Sequence, residues 1–162
     1  MNKGDVMNLS NTHILLLRLV IAGLFLNTGI DKYNEGWLSE SSHLTESLNS
    51  YHERASGMQL TYLDNVAIPH AGLWSRAICI GEIALGTSLL LGLLVRLSTA
   101  LGIFMVINLH AATGNLYSLN FFASPYAALL TTGLLVLLLA RAGRWAGIDA
   151  LLATANPKAL FW

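Results

Sequence analysis

Four long apolar runs, each close to the length a helix needs to cross a bilayer, constrain this chain more than any other feature. They span residues 14–30, 73–95, 97–113 and 124–140. A hydrocarbon core about 30 Å thick asks for roughly 17 to 25 mostly apolar residues per helix. Composition agrees: 54% of the 162 residues are hydrophobic and 11% are charged. A soluble domain spends about a quarter of its residues on charge. The expected fold is therefore all-α, an integral membrane four-helix bundle in one domain, with residues 31–72 as a long outer loop. The polar stretch before residue 14 is followed by no small-residue cleavage site, so the first run reads as a retained span rather than a signal peptide.

Charge and cysteine usage exclude several function classes. Nine basic residues balance nine acidic ones, which removes the electrostatic footprint of a nucleic-acid binder. The single cysteine, Cys79, rules out an internal disulfide, a paired-thiol redox motif and a multi-cysteine zinc site.

Only Arg96 and its neighbours separate the second and third runs, which predicts an antiparallel hairpin turning there. The uncharged connection 114–123 carries aromatics suited to the membrane interface, as do Phe161 and Trp162 near the carboxyl end. Residues 31–72 hold six of the nine acids: Asp31, Glu35, Glu40, Glu46, Glu53 and Asp64. Within them Leu44, Leu48, Tyr51 and Ala55 recur at helical spacing, which predicts a short amphipathic helix lying on the membrane. Lys3, Arg96, Arg141, Arg144 and Lys158 fall on the side shared by the termini and the hairpin turn. The positive-inside rule then puts both termini in the cytoplasm of a bacterial-type inner membrane and the acidic loop outside.

A charge inside a span costs at least a few kcal/mol on insertion scales and needs a partner or a purpose. With a rise of about 1.5 Å per residue, Arg18 lies roughly 6 Å inside the cytoplasmic edge and Arg76 similarly below the outer one, so both can snorkel. Glu82 is about 13 Å from the outer edge and cannot. His110, about 19 Å from the cytoplasmic side, falls near the same level, with Asn27, Thr131 and Thr132 in the same layer. Asn108 and His110 are separated by about 200° around a helix, so only one faces the centre. Such a layer either encloses a polar ligand or a proton-bearing pair, or simply glues helices together. His110 could instead ligate the metal of a haem-like tetrapyrrole. The histidine at matching depth that two-haem bundles use is missing, since His13 is at an edge and His70 in the loop. His43 and His52, nine residues apart, make no helical metal pair, so no metal site is expected.

The segment LLLRLVIAGLFLNTGIDKY resembles the opening of DoxX and DoxD-like membrane proteins, with Arg18, Gly29 and Lys32 at the matching positions. GEIALGTSLLLGLLVRLSTALG continues the likeness through Glu82, Gly86, Gly92 and Arg96, and ARAGRWAGIDALL through Gly143, Arg144 and Asp149. The resemblance implies a four-helix membrane bundle serving as the membrane subunit of a redox complex, linked to quinone and to thiosulfate or thiol oxidation.

Two functions stay open. In one, the chain is a quinone-linked oxidoreductase subunit and the buried layer is its quinone or proton site. Glu82 carries the proton there with His110 as hydrogen-bond partner, the two being the candidate catalytic residues. Arg18, Asn27, Lys32, Arg76 and Asn108 contact the cofactor, Arg18 and Lys32 fixing charge at opposite ends. With no flavin motif, metal cage or cysteine pair, the chain is not catalytic alone, and protein partner subunits are expected beside the lipid bilayer. In the other, it is a non-catalytic accessory or assembly subunit of a larger respiratory or photosynthetic complex. A transporter fits poorly: the spans show no inverted repeat, and none is broken by an internal proline.

Overall fold

The computed structural model describes residues 3–117, 125–145 and 147–156, with side chains from residue 11 onward. Every regular element among these is helical. The four runs appear as α1 (Lys3–Asn34), α4 (Ala71–Leu91), α5 (Val95–Ala112) and α6 (Pro125–Leu139). Between α1 and α4 lie α2 (Ser42–His52), α3 (Gly57–Tyr62) and a π-helical turn, Leu63–Ala67. After α6 come a 3₁₀ turn, Ala142–Arg144, and α7 (Ile148–Ala155).

Three helices are long and apolar enough to cross a membrane: Asn11–Asn34 within α1, Ala71–Leu91 and Val95–Ala112. At 15 residues α6 is apolar but shorter. Its length of about 22 Å falls short of a 30 Å core. It packs on α5 and α1. Pro125 opens α6, where the missing N–H costs nothing. α1 starts far earlier than residue 14, and its polar leader contains no proline to stop the helix. Part of the aromatic connection, 118–123, and Lys158, Phe161 and Trp162 fall outside the described residues.

The hairpin turns at Gly92–Leu94 rather than at Arg96, which lies in the first turn of α5. Gly92 has φ +66°, a left-handed conformation that glycine adopts at no steric cost. There it ends α4, with Leu93 N bonded to Ser88 O at 3.0 Å and Gly92 N to Leu89 O at 3.3 Å.

α1 and α4 form the most extensive helix pair, and glycine sets their spacing. A Cβ at Gly86 would lie 2.7 Å from Leu26 Cγ and 2.8 Å from Leu26 N, and one at Gly29 2.9 Å from Ile83 N. Backbones this close gain the dispersion that drives helix association in lipid. The resulting core runs through Ala22, Phe25, Leu85, Leu89, Val106 and Leu134 on four helices.

A second cluster joins Leu48 of α2 to Leu63, Ala67, Ala71 and Ala112, with Leu44, Tyr51 and Ala55 against it. The amphipathic helix is present, but its apolar stripe is spent on the protein rather than on the membrane surface. Periodicity says that a face must be covered, not by what.

Candidate functional site

Charged side chains gather at two ends of the bundle. At the end bearing α2 and α3, Lys32 Nζ is 2.8 Å from Glu82 Oε2, and the two side chains keep 21% and 14% of their exposure. α1 brings Lys32 onto the face that carries Gly29 one turn earlier, and Gly29 is the point of closest approach to Glu82 and Ile83. The ammonium also stands 5.5 Å from the centroid of the Trp37 ring, within cation–π range. Cys79, fully buried one turn before Glu82, donates its thiol to Gly29 O at 3.7 Å.

Glu82 is shallower than counting along its own run suggests. α1 ends at Asn34, five residues beyond Gly29, so Glu82 sits about 7 Å from that end. The first turns of α4 project past α1, where the chain after α1 covers them. Ser75 Oγ donates to Trp37 O at 2.8 Å and Arg76 Nε to Leu38 O at 3.1 Å. Arg76 is exposed and pins this connection.

The other expected members of the layer disperse. Glu82 is bonded to Lys32 and not to His110. His110 lies in the last turn of α5 and is 4% exposed. Asn108, on another face of α5, accepts from Tyr62 Oη at 2.9 Å, tying α3 to the bundle. Burial, and then the neighbouring Tyr117, push the Tyr62 phenol above its usual range. Asn27 is exposed and donates to Asp31 at 3.0 Å, one helical turn on. Thr132 is exposed and Thr131 half-buried. His52, the last residue of α2, is 2.8 Å from Asp64. Among the described residues no three His, Cys, Asp or Glu side chains gather as a metal cage requires.

At the opposite end Arg18 does not snorkel. It is 1% exposed, and its Nη1 donates to Ala142 O at 2.8 Å and to Trp145 O at 3.2 Å. The chain after α6 packs beside the middle of α1 and supplies those carbonyls. Beside it Asp149, also 1% exposed, caps α5 from a distance: Leu94 N and Val95 N donate to its two carboxylate oxygens at 2.7 and 3.0 Å. Anions are favoured at a helix N-terminus, and this one satisfies two amides there. Asp149 N donates in turn to Gly92 O at 2.9 Å. Larger residues have no room here, since a Cβ at Gly92 would lie 2.6 Å from Gly147 Cα. Asp149 was legible only as the end of a motif. As the single acid after Glu82, it carried a signal that sequence reasoning left without a role.

Long apolar helices in close contact through glycine, with charged side chains paired between them, define a helical membrane protein. The family model described as DoxX matches residues 13–115, well over half of the chain, and the chain belongs to that family. Comparison with curated proteins gives no match, and comparison with solved structures gives none either. The matched region contains both Arg18 and the Lys32–Glu82 pair.

Proposed function

We propose that this DoxX protein is the membrane subunit of a quinone-linked redox complex, with thiosulfate or thiol oxidation carried out by a partner subunit. The observation that carries this reading is the Lys32–Glu82 pair, buried enough to be costly without a purpose and exposed enough to be reached. The residues present fit a quinone headgroup. Lys32 has three N–H donors, Glu82 engages one, and the Trp37 ring lies beside the ammonium. Lys32 would hold a carbonyl oxygen, and Glu82, 2.8 Å from Nζ, would fix the ammonium in place. A quinone bound there supplies the electron and proton acceptor that the chain itself lacks. Arg18 takes the role of a structural clamp in this reading, because backbone carbonyls occupy its Nη1.

Gentle detergent extraction, affinity capture of the chain and identification of what accompanies it test the proposal. A sulfur- or thiol-oxidising partner together with quinone supports it. Capture within a large respiratory or photosynthetic assembly, with unchanged activity in Glu82→Gln, would make the chain an accessory subunit.

A further inference from the structure

The end of the molecule closed by α7 carries an unusual balance of charge. After Glu82 the sequence has four basic residues, Arg96, Arg141, Arg144 and Lys158, and one acid, Asp149. The fold removes that acid from the surface, since Asp149 is 1% exposed with its carboxylate turned onto the amides of Leu94 and Val95. Arg141 stays exposed and Arg96 and Arg144 half-buried, so the described surface at this end is basic.

α7 is pinned there by its Asp149 side. Two residues on, about 200° around the helix, Leu151 is 72% exposed, and Ile148 beside it is 37% exposed. An eight-residue helix fixed to the protein on one face, apolar on the other and flanked by arginines has the make-up of an interfacial helix. Arginine matches phosphate through paired N–H donors, and basic groups near a bilayer surface concentrate anionic lipid.

We infer that α7 and the arginines around it form a docking surface for anionic phospholipid, with Leu151 and Ile148 entering the acyl boundary and Arg141 and Arg96 holding headgroup phosphate. The burial of Asp149 then serves two ends at once, capping α5 and leaving the lipid-facing surface positive.

Native mass spectrometry of the full chain, released from micelles containing equal phosphatidylglycerol and phosphatidylcholine, tests this. The wild type should retain phosphatidylglycerol several-fold over phosphatidylcholine. An Arg141→Gln variant should lose much of that preference while keeping its thermal unfolding midpoint. Arg54→Gln, at the opposite end, should keep the preference, and Leu151→Ser should lower total lipid retention. Excess inorganic phosphate should not displace the lipid; displacement would mean that a free anion is the ligand. Equal retention of the two lipids, or a dimer whose formation depends on Leu151, would overturn the inference.

Discussion

Asp149 and Val95 are 54 positions apart in the chain, yet the carboxylate of one accepts the amide of the other at 3.0 Å at the start of α5. The closing segment thereby holds the α4–α5 hairpin in place, and Arg18 binds the same segment through Ala142 and Trp145. Asp149→Ala removes two buried acceptors at once. It should cost about 2 to 4 kcal/mol, each orphaned amide contributing roughly 1 to 2. Asp149→Asn keeps one acceptor oxygen and should cost less. Thermal unfolding in detergent gives the ranking, and hydrogen exchange at the Leu94 and Val95 amides should rise in both variants.

Glycine positions separate by what surrounds them. Nothing lies within 4 Å of a Cβ built at Gly23, whereas one at Gly86 meets Leu26 Cγ at 2.7 Å and Ala22 O at 3.0 Å. Gly86→Ala should therefore destabilise by about 1 to 3 kcal/mol through overpacking. Gly23→Ala should be neutral or slightly stabilising, as alanine is the better helix former. Comparing the two unfolding midpoints checks the α1–α4 register.

The Lys32–Glu82 pair should behave as a unit. Removing one partner leaves the other partly buried without its counter-charge. Lys32→Met or Glu82→Leu alone should then cost about 1 to 2 kcal/mol, below the fully buried case because both groups retain exposure. Lys32→Met/Glu82→Leu should recover part of that loss, and a double-mutant cycle on unfolding midpoints measures the coupling.

Tyr62 gives a pH signature. Its phenol is raised by burial and donates to Asn108, so the folded state favours the protonated form. The corresponding stability is present below the unfolded value of about 10 and is lost as pH rises through the folded one. Tyr62→Phe should lower stability near neutrality and flatten the alkaline decline, a difference that unfolding midpoints between about pH 9 and 11 would reveal.

Three of the four expected spans were legible in the sequence as helices long and apolar enough to cross a membrane, because a hydrophobic run of bilayer length has few other destinations, while the fourth run gives the shorter α6. So were the costly residues, since Arg18 and Glu82 stand out in any apolar segment. Their partners were not legible. Depth counted along one helix placed Glu82 with His110, but the contact at Gly29 and the way α4 projects past α1 set a different register and gave Glu82 to Lys32. Arg18 looked free to snorkel because carbonyl acceptors 124 and 127 residues away leave no local trace. The stripe on α2 was read correctly as a helix face, while the surface that covers it depends on Leu63, Ala67 and Ala112 far along the chain.

The central claim is that Lys32 and Glu82 hold a quinone for a partner's oxidation. Quinone content per chain, measured by extraction and absorbance after capture in mild detergent, tests it most directly when wild type, Lys32→Met and the exposed-site control Arg54→Gln are compared. The account predicts quinone near stoichiometric with the wild type and the control, and several-fold depleted in Lys32→Met. Equal quinone in all three, at the level carried by bulk lipid, would contradict it.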